Sequence, residues 1–201
     1  MINVVTGTLR ERNGHQRLAD PMQRLRPMGI HERRGGPGSA RTAGDGFDAD
    51  DSAYLLTTNP KDAVIGGWRL RPTTRSCVLR KVFPDLLYGA PAPMERSIWE
   101  ISRFSADSPD ASGPAQDLGD ASRALVLQAI EFAARSGVTQ YVMVVSLAVE
   151  RLLRRMGLRL HRFGPPMHID RAMSVAVWLD VDLHARSMVP GQPIPLLAAA
   201  A

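Results

Sequence analysis

The alternation of segments between residues 97 and 181 constrains the fold more than any other feature of this chain. Strand-like runs at 97–104, 140–146 and 173–181 are separated by helical patterns at 120–135 and 147–156. Asp120 is a suitable N-cap for the first helix, and Gly137 and Gly157 stand where the two helices should end. Strand, helix, strand, helix, strand predicts an α/β domain built around a mixed sheet.

The chain before residue 97 differs in composition from this region. Two more strands are predicted at 53–57 and 64–70, joined by a turn at 59–62. Residues 26–44 are rich in Gly, Arg and Pro and nearly devoid of large apolar side chains, so they can bury little surface. We therefore expect an atypical, partly mobile N-terminal segment at 1–44 with room for a strand and a helix, a domain at 45–184, and a loosely ordered tail at 185–201.

Charge and composition narrow the classes of partner. The net charge is +5, which favours acidic partners, but the arginines are scattered and form no recognition helix, so nucleic acid is disfavoured. No apolar run approaches the ~20 residues of a membrane span, and no secretory signal is evident. The five histidines have no ligand spacing, which argues against a metal. A single cysteine, Cys77, is interpreted as a bystander, and a cytoplasmic location is expected.

Six short motifs occur in a fixed order between residues 45 and 166. They read DGFD at 45–48, RLRPTT at 69–74, VFP at 82–84, WEISRF at 99–104, VERLLRRMG at 149–157 and HRFGPP at 161–166. Each motif alone is weak, but together they resemble the acyl-homoserine-lactone synthases, the autoinducer synthases of quorum sensing. The resemblance covers residues 45–181 and implies an acetyltransferase-like three-layer α/β fold, with a central mixed, twisted sheet split into a cleft.

The resemblance also implies a reaction. An acyl chain would pass from an acyl carrier protein to the amine of S-adenosylmethionine, and lactone closure would release 5′-methylthioadenosine. S-adenosylmethionine is a substrate here, so no cofactor is expected. A carboxylate in a partly desolvated cleft can accept the amine proton, and Glu100, in the middle of a strand beside Trp99, is the candidate base. The alternative is that Glu100 only pairs with Arg69 or Arg103, and both roles are compatible.

The remaining candidate residues follow from the matched motifs. The predicted S-adenosylmethionine site comprises Arg33, Asp45, Asp48, Arg69, Arg103, Phe104 and Ser146. The predicted acyl-binding residues, for which ordinary core is the plain alternative, are Val142, Met143, Val144, Val145 and Leu147. Relatives that prefer a 3-oxo acyl group often carry threonine on this strand, where this chain has Met143 and Val145 without a hydroxyl. The resemblance therefore implies an unsubstituted chain of medium length, such as octanoyl. Arg151 and Arg155, four apart on one helix face, are the predicted dock for the acidic carrier protein, with a merely solvated basic face as the alternative.

One departure from the family lies in the N-terminal segment. The expected Val-Phe and Gly-Trp pairs are replaced by Gly29-Ile30 and Gly35-Gly36, so two large aromatic rings that cover the pocket in relatives are missing. A frame-shifted stretch at 27–43 of a GC-rich gene would explain this, and true divergence is the rival. Either predicts weakened S-adenosylmethionine binding. The missing rings make a degenerate synthase one rival function. The other rival is an N-acyltransferase of similar fold that uses acyl-coenzyme A.

Overall fold

The computed structural model describes residues 3–8, 52–58, 64–106, 120–169 and 172–188. The strands are β1 (Asn3–Thr8), β2 (Ala53–Thr58), β3 (Val64–Pro72), β4 (Ile98–Ala106), β5 (Gln140–Ser146), β6 (Leu160–Arg162), β7 (Met167–Ile169) and β8 (Ala172–Asp180). The helices are α1 (Val78–Val82), α2 (Asp120–Ser136), α3 (Leu147–Arg155) and α4 (Leu183–Ser187), with a 3-10 helix at Pro84–Leu87. Three residues of the predicted S-adenosylmethionine site, Arg33, Asp45 and Asp48, lie outside the described residues.

The strands form one mixed sheet in the order β1-β2-β3-β4-β5-β8-β6, and β7 also pairs with β8. The pair β4–β5 is parallel, and the other pairs are antiparallel. The parallel pair requires a crossover, and α2 supplies it. This confirms the predicted mixed sheet, and the short helix α1 and strand β7 are additions that the sequence patterns did not predict.

The two predicted glycine stops are confirmed by the backbone. Gly137 and Gly157 take φ values of 69° and 95°, a region that favours glycine. The amide that follows each glycine reaches back into the helix, from Val138 to the Ala133 carbonyl and from Leu158 to the Leu153 carbonyl. At the other end of the domain, α4 runs past the boundary predicted at residue 184, because Asp182 caps it and Ala185 is buried.

The sheet separates two apolar layers. On one face, α2, α3 and α4 pack against a large core that includes Leu70, Ile101 and Tyr141. On the other face, α1 and the 3-10 helix cover a smaller cluster that includes Leu79, Val142 and Ala176. Because side chains alternate along a strand, neighbours such as Tyr141 and Val142 belong to different layers. This three-layer arrangement decides which of the predicted residues can meet.

A β-bulge in β4 interrupts the regular alternation of side chains between the two faces of the sheet. In the pairing with β3, Ser102 lies opposite Arg69 and Ser105 lies opposite Gly67, so two residues of β4, Arg103 and Phe104, face a single residue of β3. Arg103 takes the left-handed conformation, with φ of 58°. Strict alternation along β4 would place Phe104 on the face of Glu100, but the extra residue turns Phe104 into the large core.

The sheet opens next to this bulge. The parallel pairing of β4 and β5 runs from Ile98 opposite Gln140 to Ile101 opposite Met143. Beyond that point β4 continues to Ala106 and β5 to Ser146. The two strands therefore separate past Ile101 and Met143, and this forms the cleft that the resemblance implies.

Candidate active site

Glu100 is buried in the middle of β4 and its carboxylate caps the short helix α1. One oxygen, Oε2, accepts a hydrogen bond from the Val78 amide at 2.8 Å, and Oε1 accepts one from the Leu79 amide at 2.7 Å. The N-cap residue of α1, Cys77, makes no side-chain cap of its own. A negative charge placed at these free amides satisfies them and interacts favourably with the helix dipole. The carboxylate therefore holds the helical layer against β4.

Cys77 is not the bystander predicted from the sequence. Its thiol donates a hydrogen bond to Glu100 Oε1 at 3.2 Å, and the residue is 2% exposed. Burial, together with the negative charge of Glu100, raises the pKa of the Cys77 thiol to about 12. The thiol thus stays protonated and serves as a third donor to Glu100. Oε1 accepts two of these three hydrogen bonds and Oε2 accepts one, and a carboxylate offers about four acceptor sites in all.

Two buried arginines lie on the same side of the sheet as Glu100. Arg69 is 1% exposed and its Nε donates to Ser102 Oγ at 3.0 Å. Arg71, directly opposite Glu100 in the strand register, is also buried. The sequence analysis identified Arg69 but missed Arg71 and Ser102. Side chains two positions apart on a strand lie on the same face, so Arg71 follows from Arg69 and Ser102 follows from Glu100.

Arg103, Phe104 and Ser146 lie where the strands separate, and the side chains of Phe104 and Ser146 contact other parts of the fold. Phe104 packs into the large core against Trp68, with ring centroids 5.4 Å apart. The Ser146 hydroxyl accepts a hydrogen bond from the Val149 amide at 3.4 Å and caps α3. Arg103 occupies the bulge at the mouth of the cleft and is partly buried. Their contact with S-adenosylmethionine stays a prediction.

The predicted acyl-binding residues divide between the two faces of β5. Val142 and Val144 belong to the layer under α1. Met143, Val145 and Leu147 belong to or pack on the large core under α2 and α3. These five side chains therefore cannot line a single wall. An acyl chain that contacts both sets has to pass through the opening between β4 and β5.

The basic helix α3 contains a buried ion cluster that the sequence analysis missed. Glu150 is 1% exposed and accepts hydrogen bonds from Arg162 Nε at 2.8 Å and from an Arg162 terminal nitrogen at 2.6 Å. Arg154 donates to the same carboxylate at 3.1 and 3.2 Å and to the Leu160 carbonyl at 2.7 Å. The predicted docking residues, Arg151 and Arg155, are exposed on the outer face of α3.

This cluster predicts an acid-sensitive contribution to stability. Hydrogen bonds from Arg162 lower the pKa of Glu150 below its usual 4.5, so the carboxylate stabilises the fold above about pH 4.5 and loses that effect as pH falls through its folded pKa. We expect Glu150→Gln to lower the free energy of unfolding by about 2 kcal/mol at pH 7, the scale of hydrogen bonds to a charged group. Urea unfolding at pH 7 and at pH 3.5 measures the difference.

At pH 3.5 the gap between the two proteins should be smaller, because the Glu150 carboxyl of the unfolded wild-type chain binds a proton below its usual pKa of 4.5 and the folded state then gives up part of its advantage. Glu131→Gln is the matched control, since Glu131 pairs with Arg135 at 3.4 Å on the surface of α2 and such pairs contribute little. An equal loss in both variants, or a gap that widens in acid, would contradict the assignment.

Among the described residues, no group of three or more His, Cys, Asp or Glu side chains is arranged to hold a metal ion. None of the helices in the described ranges has the length and apolarity that a membrane crossing requires.

Comparison with known proteins decides the family. A sequence profile of the autoinducer synthases matches residues 15–189. The chain belongs to the autoinducer synthase family. It is 42% identical over 138 residues to the acyl-homoserine-lactone synthase of Acinetobacter baumannii, a match that covers 67% of this chain and 75% of the relative. Autoinducer synthases of this kind are acyltransferases that make quorum-sensing signals, so the predicted enzyme class is confirmed.

Solved structures support the same assignment. TofI, in a ternary complex with an inhibitor and MTA, shares the fold with a TM-score of 0.73 and 31% identity, over 92% of this chain and 95% of TofI. A Lactobacillus plantarum protein described as an N-acetyltransferase has a TM-score of 0.59 at 16% identity, over 90% of this chain and 99% of its own. The second likeness concerns the fold alone, and it confirms the acetyltransferase-like architecture of this autoinducer synthase.

Proposed function

We propose that this autoinducer synthase transfers an unsubstituted acyl chain of medium length from an acyl carrier protein to the amine of S-adenosylmethionine and then closes the lactone. The observation that carries the proposal is the opening between β4 and β5, flanked by the buried Glu100 and Arg69 on one face and by apolar side chains of β5 on both. A polar, cationic substrate and an aliphatic chain need such neighbouring environments.

The proposed reaction has two bond-forming steps. The amine nitrogen attacks the thioester carbonyl, so a C–N bond forms, the C–S bond breaks, and the carrier leaves as a thiol. The ammonium gives up two protons, one to the leaving thiolate and one to a base. The carboxylate oxygen of the acylated product then attacks the carbon next to the sulfonium, which forms the lactone C–O bond and releases 5′-methylthioadenosine. A complex of TofI with MTA is in keeping with that product.

Glu100 is the proposed acceptor of the proton, directly or through water. Its carboxylate already receives three hydrogen bonds, two from backbone amides and one from the Cys77 thiol. These hydrogen bonds orient the Glu100 carboxylate, because the two amides and the thiol hold both of its oxygens in place. Arg69 and Arg103 are the proposed partners of the methionyl carboxylate, for which a guanidinium is well suited. Asp45, Asp48 and Arg33 complete the proposed substrate site.

The proposed donor is the carrier protein, because Arg151 and Arg155 expose a basic helix face. The rival donor is coenzyme A, which is used by BjaI, a CoA-dependent synthase that shares the fold at 23% identity with a TM-score of 0.78. The proposed chain is unsubstituted because Val142, Met143, Val144 and Val145 present no hydroxyl to a 3-oxo group. A buried carbonyl without a donor costs about 1–3 kcal/mol.

Steady-state kinetics with purified protein test this proposal. Octanoyl and 3-oxo-octanoyl carrier protein and octanoyl-coenzyme A are compared, with lactone and 5′-methylthioadenosine followed by mass spectrometry. We expect kcat/KM for octanoyl carrier protein to exceed that for the 3-oxo chain by about tenfold, the scale of one unpaired buried carbonyl. Preference for the 3-oxo chain would overturn the predicted chain type, and preference for coenzyme A would overturn the predicted donor.

A further inference from the structure

We infer that Glu150 is a positioning residue for recognition of the acyl carrier protein, because its carboxylate fixes the orientation of the basic face of α3. By the basic face we mean Arg151 and Arg155 together with Arg159 in the turn that follows, all three of which are exposed. The inference rests on the proposed function, since it assumes that the carrier protein is the donor. The exposed arginines would contact the carrier protein directly. Glu150 is buried and would act on recognition only through the position of α3.

The position of Glu150 on the helix makes it suited to this role. Val149, Leu152 and Leu153 are buried and form the inner side of α3, whereas Arg151 and Arg155 lie on the opposite side. At about 100° per residue, Glu150 falls at the border between the two sides. A contact at this border resists rotation of the helix about its own axis more directly than the apolar contacts of the inner side.

The contacts of Glu150 tie α3 to a different element of the sheet. Arg162, which grips the carboxylate with two nitrogens, belongs to β6. Arg154 bonds both the Glu150 carboxylate and the Leu160 carbonyl of β6, so it closes the turn between helix and strand. The two-point grip of Arg162 sets an angle as well as a distance. The Glu150 carboxylate therefore joins α3 to β6 directly through Arg162 and also contacts Arg154, which bonds β6 itself.

The charge balance of this region points to an acidic partner. Residues 151–162 contain five arginines and no acidic residue. Glu150 pairs with both Arg154 and Arg162, whose side chains are 43% and 41% exposed, and its single negative charge offsets one of their two positive charges. The three arginines of the basic face present their charges at the protein surface. An acidic carrier protein that delivers a tethered thioester has the complementary charge, and interactions of this kind weaken as ionic strength rises.

The test compares two donors in two matched variants. Glu150→Gln removes the central charge, and Glu131→Gln removes a surface pair of the same i, i+4 spacing on α2. We expect Glu150→Gln to raise KM for octanoyl carrier protein about fivefold at low salt, within the range for altered charged interfaces, and KM for octanoyl-coenzyme A less than twofold. Glu131→Gln should change neither KM. The effect on the carrier should shrink at 0.5 M salt.

A second variant keeps the test decisive if Glu150→Gln folds poorly, which circular dichroism will show. Arg162→Lys keeps the positive charge but loses the two-point grip, and we expect the same split between donors at a smaller size. An unchanged KM for the carrier, or an equal rise for both donors, would overturn the inference. Wild-type protein that accepts only coenzyme A would instead refute the proposed donor, and with it this inference.

Discussion

The Glu100→Gln variant is expected to lose at least about 100-fold in kcat/KM for lactone synthesis, the lower end of what a positioned proton acceptor contributes. Glutamine presents one acceptor oxygen in place of two and directs an amide N–H₂ at a backbone N–H or at the thiol. The hydrogen bonds from Val78 and Leu79 cannot then both persist. We therefore also expect the free energy of unfolding to fall by about 2 kcal/mol.

The pH dependence of the residual activity separates the two roles of Glu100. If the carboxylate accepts the proton, the acid limb of the kcat/KM profile should flatten or move in Glu100→Gln. If it only positions α1, the acid limb should persist at a lower level. Glu95→Gln, an exposed glutamate close by in the chain, is the control and should retain wild-type activity. Near-normal activity of Glu100→Gln would remove Glu100 from the site.

The Arg69→Met variant should be the most destabilised single substitution at the site, by about 3 kcal/mol. The guanidinium lies on β3 with 1% exposure, and its Nε donates to Ser102. Methionine keeps part of the apolar stem but removes every donor, so Ser102 and the other polar groups around the guanidinium lose a charged partner. Chemical denaturation followed by tryptophan fluorescence measures the effect.

Two further measurements make the Arg69 prediction specific. Arg123→Met, at an exposed position on α2, should change stability by less than about 0.5 kcal/mol. In Arg69→Met protein that remains folded, calorimetry should show weaker binding of S-adenosylmethionine than in wild type. A variant as stable as wild type would mean that the buried charge contributes nothing net. Unchanged affinity would remove Arg69 from the substrate site.

The parts of the fold that could be predicted are those set by local pattern. Strand β5 was predicted with the limits it has, since an apolar run flanked by two helical patterns leaves little choice. The glycine stops of α2 and α3 were also correct, because each depends on one residue and its neighbours. The chain order of strands and helices followed from these.

The bulge in β4 could not be predicted from the pattern of alternation. No glycine or proline marks it, and the extra residue is Arg103 in a left-handed conformation that costs about 1 kcal/mol. The cost is offset where the sequence cannot show it, by the burial of Phe104 against Trp68. A one-residue shift changes the face of every side chain that follows, so Phe104 lies on the opposite face from the one that strict alternation would give it.

The contacts that build the site were missed because they join distant parts of the chain. Helix α1 is only five residues long and has no local cap, and its amides are satisfied by Glu100, which lies 21 and 22 positions away. The spacing of Arg151 and Arg155 was evident, but the partner of Glu150 on β6 was not. The frame-shift hypothesis for 27–43 stays a prediction, which the nucleotide sequence decides.

The most direct test of the central claim is mass spectrometry of lactones in the medium of cells that express this chain, beside cells that express Glu100→Gln. The account predicts octanoyl-homoserine lactone, or a near neighbour in chain length, from the wild type, and at most about one hundredth as much from the variant. Absence of any acyl-homoserine lactone from both cultures, with both proteins folded and soluble, would contradict it.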